Sequence, residues 1–186
     1  ESVNILGHVI GGGTKKMDPN KIKAVAERLP PNSVKSLQSF LGLVNYYRDF
    51  VHNFAVSAYP FFEKLKKGTV WSWTEKDSEA FEYLKKQLTS EPLLALFDPD
   101  RQCSLYTDAS KYHIGGILSQ IGDDGKQHVL CYMSRKLTKH EINYSVSEQE
   151  MLAVVYFTNK CRQYLIGRKF KLFTDHSALR WLLNLK

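Results

Sequence analysis

The chain has 186 residues, 43% of them apolar, with a formal net charge of +7 and a pI near 9.2. That apolar fraction suffices for a packed core, which excludes a disordered or fibrous chain, and the length allows one domain or two small ones. No run approaches the ~20 apolar residues that cross a bilayer, and the start, ESVNILGHVIGGG, lacks the basic region and long apolar centre of a signal peptide; the sequence therefore predicts a soluble, intracellular protein without membrane contact.

The charge is uneven. Residues 1–70 carry 10 Lys/Arg against 5 Asp/Glu, and residues 71–186 carry 16 against 14. The first third is thus the better candidate for touching a polyanion, with a solvated basic surface as the alternative. Cys103, Cys131 and Cys161 each fall inside a predicted element and have no metal-type spacing, so buried free thiols are expected.

In chain order, residues 3–10 (VNILGHVI) read as one strand entering the turn Gly11 to Gly13. A helix fits Pro19 to Leu29, with Asp18 as N-cap and Ile22, Val25, Ala26 and Leu29 on its apolar face; Pro30 and Pro31 stop it. The next helix starts at Asn32 or Ser33 and runs to about Val51 through Val34, Leu37, Leu41, Val44 and Tyr47 or Arg48. A further one covers Ala55 to Lys67, with Phe61, Phe62 and Leu65 inward and Lys64, Lys66 and Lys67 outward. These helices predict a small bundle whose core takes Tyr46, Tyr47, Phe50, Phe54, Tyr59, Phe61 and Phe62. Gly68, Thr69 and VWSW mark a boundary. Thr74 and Asp77 then form a capping pair for a helix with Ala80, Phe81, Leu84 and Leu88 inward.

From Cys103 the order becomes strand, strand, strand, helix, strand, helix. In the first strand Ser104, Tyr106 and Asp108 share one face, and Cys103, Leu105 and Thr107 the other. The second, Ile114 to Ile121, carries Gly115 and Gly116, which suit a bend or a close backbone approach. The third, His128 to Ser134, completes a meander through the turn Gly122 to Gly125. A long helix follows, Ser145 to Ile166. Either Ser145 with Glu148 or Ser147 with Glu150 can cap it, and Met151, Leu152, Val155 and Tyr156 supply its buried side. Lys169 to Thr174 makes the fourth strand, and Ser177 to Leu185 a last helix.

Three acids stand out. Asp108 and Asp175 close predicted strands, and Glu150 lies one turn into the helix joining them, at spacings of 42 and 25 residues. Taken singly, Asp108 can close a turn, Glu150 can cap, and Asp175 can start the last helix. If the first and fourth strands are neighbours, all three converge. Converged carboxylates repel unless a cation sits between them. Oxygen ligands without His or Cys favour Mg²⁺ or Mn²⁺, and two such ions suit phosphodiester hydrolysis in a nucleic-acid strand.

Several segments carry a resemblance: LGHVI at 6–10, SFLGLVNYYRDFV at 39–51, EAFEYLKKQLTSEPLLALFD at 79–98, YTDAS at 106–110, CYMSRKLT at 131–138, NYSVSEQEMLAVV at 143–155 and FTDHSALRWLL at 173–183. In this order they resemble the reverse transcriptase of gypsy-class LTR retrotransposons, part of a Pol polyprotein, over residues 3–186. The resemblance implies an α/β (α+β) chain. Residues 1–13 would be the end of the palm with a primer-grip-like hairpin at Leu6, Gly7 and His8; 14–70 a helical thumb; 71–102 a linking helix and connector. Residues 103–186 would be an RNase H-like domain, a three-strand antiparallel meander plus a parallel fourth strand with flanking helices. It also implies that Asp108, Glu150 (rather than Glu148) and Asp175 are catalytic metal ligands for two Mg²⁺ or Mn²⁺ ions.

Further implications follow from the family. The basic thumb would hold the duplex, with Lys15, Lys16, Lys21, Lys23 and Lys35 as phosphate contacts by charge and family position. The partners would be an RNA/DNA hybrid or primer-template duplex and the rest of the polyprotein, with a dimer or another protein partner left open. The setting would be the cytoplasm, retroelement particles or the nucleus. The polymerase aspartates fall outside this sequence, and the family's fourth carboxylate and mobile histidine would lie beyond Lys186, so His176 reads as a turn or helix-start residue. A second expectation is a host-adopted, non-catalytic scaffold that keeps the fold.

Overall fold

A computed structural model describes residues 2–90, 92–177 and 179, which fall in two compact units that meet in sequence between Leu94 and Ala95. None of the described helices is long and apolar enough to cross a membrane.

The first unit opens with three short antiparallel strands, β1 (Ser2–Ile5), β2 (His8–Gly11) and β3 (Thr14–Met17). The single strand expected over residues 3–10 is thus a hairpin. Leu6 and Gly7 both take positive φ, +48° and +73°, the two-residue turn whose twist matches the flanking strands. Helix α1 (Pro19–Ala26) is capped by Asp18, which accepts from the Asn20 N–H at 2.8 Å. It stops a turn earlier than expected, so Leu29 is 80% exposed; of the four expected inward residues only Val25 is buried, Ile22 is half-buried and Ala26 is exposed.

Helix α2 (Val34–Tyr46) starts at Ser33 and buries Leu37, Phe40, Leu41 and Val44, while Val34, in its first turn, is exposed. It ends at Tyr47, and a 3₁₀ turn, Arg48–Phe50, replaces the expected continuation to residue 51. The helix expected over 55–67 is likewise two, α3 (Phe54–Ser57) and α4 (Tyr59–Lys64). Pro60 explains the break, since its missing N–H and its ring do not fit a helix interior. Of the expected aromatic core, Tyr47, Phe50, Phe54 and Phe61 are buried, Tyr59 is half-buried, and Tyr46 and Phe62 are exposed.

Helix α5 (Glu75–Thr89) begins with the expected Thr74–Asp77 capping box and buries Phe81, Leu84 and Leu88. Phe81 lies 4.6 Å from Phe40, centroid to centroid, so α5 shares the core of the first unit. Lys64, expected to point outward, turns inward to Asp77 at 2.8 Å because that carboxylate is 4% exposed and needs a counter-charge. Strand β4 (Leu94–Ala95) completes a sheet in the order β1-β2-β3-β4.

The second unit holds β5 (Cys103–Ala109), β6 (His113–Ile121) and β7 (Gln127–Lys136), an antiparallel meander, then α6 (Val146–Lys160), α7 (Arg162–Leu165) and β8 (Lys171–Phe173). The sheet order is β7-β6-β5-β8, with β8 parallel to β5. The expected helix over 145–166 is interrupted at Cys161. Ser177 and Leu179 are helical; the rest of the expected last helix lies outside the described residues. Cys103 and Cys161 are buried and Cys131 is half-buried.

The core of this unit joins Leu105, Ile114, Leu118 and Met133 to Ala153 and Phe157 of α6. The buried residues of α6 are Gln149, Glu150, Ala153, Val154 and Phe157; of the expected face Leu152 and Tyr156 pack half-buried against the core, while Val155 is 50% exposed. Gly116 makes this packing possible, since a Cβ there would lie 2.8 Å from the Phe157 ring. Gly116→Ala is expected to lower stability by about 2 kcal/mol in urea denaturation. Overpacking typically costs ~1–3 kcal/mol, and the ~0.4–1 kcal/mol gained by restricting the unfolded chain is smaller. An unchanged midpoint would show that the ring can move aside.

Candidate metal centre

Asp108 and Asp175 are set by strand register. In the parallel pair Tyr106 lies opposite Phe173, and each aspartate sits two residues further along its own chain. Parallel strands lie ~4.8 Å apart, so side chains at equivalent positions past the last pair come out at the same rim. The rings that precede them, Tyr106 and Phe173, stack at 4.4 Å and 7°.

Glu150 arrives from the helix. Ser145 is the N-cap of α6: its N–H and Oγ–H donate to Glu148 Oε2, both at 2.8 Å, and the Glu148 N–H returns to Ser145 Oγ at 3.3 Å. Capping therefore engages Glu148. Glu150, two residues on and about 200° round the helix, faces the sheet and is 4% exposed. Its Oε1 accepts the Ala109 N–H at 3.3 Å, while its Oε2 is buried without a hydrogen-bond partner.

The start of α6 is itself braced. Arg135 grips Glu141 with two bonds of 2.7 and 2.9 Å and stacks 4.3 Å over Tyr156. Gln149 Nε2 donates to the Glu141 and Ile142 carbonyls, both at 3.2 Å. The Arg135 hydrogen bond is the main reason the Glu141 carboxyl is pulled down to about 2, so it stays ionised.

One carboxylate oxygen from each of Asp108, Glu150 and Asp175 lies within 4.8 Å of the other two. That spread is close to the ~4.2 Å separating opposite ligands of one Mg²⁺. Burial, then the charge of Asp175, raises Glu150 to about 7; Asp108 adds to the rise and the Ala109 N–H opposes it. An all-oxygen set with an unpartnered buried oxygen fits a hard divalent cation. Asp108 and Asp175 are exposed, so the cluster opens to solvent. His176 lies at the start of the last helix, one of the two expected readings: its carbonyl accepts the Leu179 N–H at 3.1 Å, its N–H donates to Thr174 Oγ1 at 3.3 Å, and its Nε2 lies 3.2 Å from Ser147 Oγ.

The other expected site residues are in the first unit. Leu6 and Gly7 form the β1–β2 turn and His8 opens β2. Lys15 stands 5.7 Å over the Phe50 ring, beside His8. Lys16, Lys21, Lys23 and Lys35 are exposed on β3, α1 and α2, with Lys23 3.8 Å from Glu27. Sequence reasoning missed the hold of Tyr46 and Tyr47 on the hairpin turn; the only signal was two adjacent tyrosines at the end of an amphipathic helix.

A meander with a parallel fourth strand, a helix across one face, two acids at the strand ends and a third on the helix define an RNase H-like fold with a candidate divalent-metal site. The chain belongs to the family of RNase H-like domains found in reverse transcriptase, whose model matches residues 73–172. It is 41% identical, over its whole length, to a retrovirus-related Pol polyprotein from transposon 297 of Drosophila melanogaster, of which it spans 17%. It is 38% identical over 95% of its length to the transposon Tf2-3 polyprotein of Schizosaccharomyces pombe, spanning 13% of that protein. The chain thus covers less than a fifth of these relatives. Among solved structures, a foamy viral protease-reverse transcriptase in complex with double-stranded DNA is similar over the whole chain and 32% of its own, with TM-score 0.81 and 20% identity. The foamy viral enzyme in complex with an RNA/DNA hybrid gives 0.77 and 21% over 96% of this chain and 25% of its own. At that identity the likeness is one of fold.

Proposed function

We propose that the chain is the thumb and RNase H portion of a retroelement reverse transcriptase, and that its carboxylate cluster serves hydrolysis of the RNA strand in an RNA/DNA hybrid. Residues 1–13 are then the end of the palm with the primer-grip-like hairpin, 14–70 the thumb, 71–102 the connector and 103–186 the RNase H part. The observation that carries the reading is the convergence of Asp108, Glu150 and Asp175 within 4.8 Å from three separate elements. These residues would hold two Mg²⁺ or Mn²⁺ ions. Bound there, the metal supplies an activated water and a counter-charge for the leaving oxygen.

The protein's own groups prepare that site. The Ala109 N–H fixes one oxygen of Glu150, whose carboxylate has an oxygen within 4.8 Å of one on each aspartate, and the Arg135–Glu141 pair holds the turn from which α6 starts. In the first unit the exposed lysines and the hairpin would contact the phosphates and end of the duplex during RNA-directed DNA synthesis by the longer polyprotein.

The test is Mg²⁺-dependent cleavage of an end-labelled RNA/DNA hybrid by the protein and by Asp108→Asn. A metal site supplies several kcal/mol of transition-state stabilisation, so the variant is expected to lose roughly 10³-fold in rate. Equal rates would remove the catalytic assignment, and hybrid binding without cleavage or metal response would favour a scaffold.

A further inference from the structure

The three carboxylates of the cluster are not held alike. Asp108 lies inside the β5–β6 ladder, opposite Gly115 and one place before the Ala109–Ile114 pair. Glu150 stands in the second turn of α6, with one oxygen on the Ala109 N–H. Asp175 belongs to neither kind of element: the β5–β8 ladder ends at Phe173, and helical backbone resumes at Ser177. Like charges brought together push apart, so an acid on so short a link needs a hold of its own.

His176 supplies one. Its Nε2 is 3.2 Å from Ser147 Oγ, and Ser147 precedes Glu150 by three residues, so those two side chains are neighbours on α6. The hydrogen bond therefore runs beside the approach of Asp175 to Glu150, joining the residue after one acid to the helical turn before the other. A hydroxyl both donates and accepts, so the bond forms with either neutral tautomer of the ring. His176 is half-buried and its Nδ1 is buried, so the imidazole is packed in place instead of swinging in solvent. Its backbone is tied on both sides, by its own N–H to Thr174 Oγ1 and by its carbonyl to the Leu179 N–H.

We propose that His176 and Ser147 are positioning residues whose hydrogen bond clamps the chain leaving β8 to the first turn of α6, holding Asp175 within cation-sharing reach of Glu150 before any cation arrives. This rests on the reading that the carboxylate cluster binds a divalent metal. Neither side chain belongs to the ligand set, so both act through Asp175 and Glu150. Without the clamp, an entering cation would have to draw Asp175 in and order residues 174–176 itself, and that cost would be subtracted from its affinity. The strain the clamp opposes also shows in Glu150, whose carboxyl is raised to about 7 by burial first and by the charge of Asp175 second.

The experiment takes three readouts on the whole chain: amide hydrogen exchange over residues 173–177 in EDTA, the Mn²⁺ concentration that gives half of the melting-temperature shift, and hybrid cleavage at saturating Mn²⁺. Ser147 is exposed, and alanine's better helix propensity offsets the lost bond, so Ser147→Ala is expected to leave the metal-free melting temperature nearly unchanged. It is expected to speed exchange and to raise the half-shift Mn²⁺ concentration about fivefold, the factor set by one net hydrogen bond. His176→Leu should do the same, and the double variant no more than the worse single one, because either change alone breaks the bond. His176→Gln, whose amide reaches toward the serine, should return the Mn²⁺ concentration to within about twofold of wild type, a rescue that a ring needed only for packing would not show. Unchanged exchange or an unchanged Mn²⁺ concentration in Ser147→Ala overturns the clamp. A wild type that takes up no Mn²⁺ removes the metal reading and the clamp's role with it. A wild type that takes up Mn²⁺ without cleaving the hybrid removes the hydrolysis reading alone, and the clamp then stands or falls on the first two readouts.

Discussion

Adding Mn²⁺ to the metal-free protein at pH 8 is expected to raise its melting temperature by about 10 °C. That is the size produced in a unit of this length by a ligand at ~100 times its dissociation constant, which contributes ~2.7 kcal/mol. Glu150→Gln is expected to remove most of that response while stabilising the metal-free protein. Burial and the charge of Asp175 raise the Glu150 carboxyl from its ordinary 4.5 to about 7. The native state therefore binds a proton that the unfolded chain has released between those values. Stability from this group is complete below the unfolded value and is lost as pH rises through the folded one. The gap corresponds to roughly 3 kcal/mol of destabilisation above pH 7. Glutamine keeps the acceptor for the Ala109 N–H and deletes the charge, so the metal-free variant should melt higher than wild type at pH 8 and close to it at pH 5. With metal present the gap should nearly close, because the cation needs the carboxylate and its ~2.7 kcal/mol offsets most of the penalty that wild type carries at pH 8. Differential scanning fluorimetry in EDTA and in Mn²⁺ at both pH values checks all four points. Equal metal-induced shifts in the two proteins would show that Glu150 is not a ligand.

The same residue explains where the sequence was hard to read. The buried side of α6 was expected at Met151, Leu152, Val155 and Tyr156, because an apolar stripe is sought among apolar residues. Leu152 and Tyr156 do pack half-buried against the core, but the fully buried residues are Gln149, Glu150, Ala153, Val154 and Phe157, a set that takes in a charged side chain. A carboxylate held inside breaks the hydrophobic period at the place where chemistry is expected. Capping was easier: Thr74 with Asp77 and Asp18 before Pro19 are local patterns, and both form as expected. Ser145 with Glu148 was one of two open alternatives, and only the packed helix decides between them. The convergence of Asp108 and Asp175 was legible on the condition that β5 and β8 pair, since the acids sit at matching distances past Tyr106 and Phe173. The β1–β2 hairpin was not legible from residues alone, because Leu6 gives no turn signal, although the resemblance to a primer-grip hairpin anticipated it. Its shape depends on hydroxyls 40 residues away, and single-chain periodicity carries no information at that range.

Asp77→Ala is expected to cost about 4 kcal/mol. Three donors converge on Asp77 Oδ2: Lys64 Nζ at 2.8 Å, the Thr74 N–H at 2.7 Å and Thr74 Oγ–H at 2.6 Å. Burial opposes the ionised form, but these bonds outweigh it and hold the carboxyl below its usual range. Removing the carboxylate strands Lys64, whose side chain is 13% exposed and is left with the Ser72 carbonyl at 2.8 Å. Losing one partner of a buried pair costs ~3–5 kcal/mol, and the lost cap at Thr74 is part of that sum at ~1 kcal/mol. The reverse truncation should be milder. Lys64→Met replaces the stem with apolar volume and leaves Asp77 two Thr74 donors and the positive end of α5, so about 1–2 kcal/mol is expected. The two variants also differ in acid. A depressed carboxyl contributes stability above its unfolded value and loses it as pH falls through the folded one. Wild type should therefore lose stability below about pH 4 through Asp77, Lys64→Met less so, and Asp77→Ala not at all through this group. Urea midpoints at pH 7 and pH 3 measure both effects, and a Lys64→Met variant as unstable as Asp77→Ala at pH 7 would show that the cap, rather than the charge pair, holds little of the energy assigned to this carboxylate.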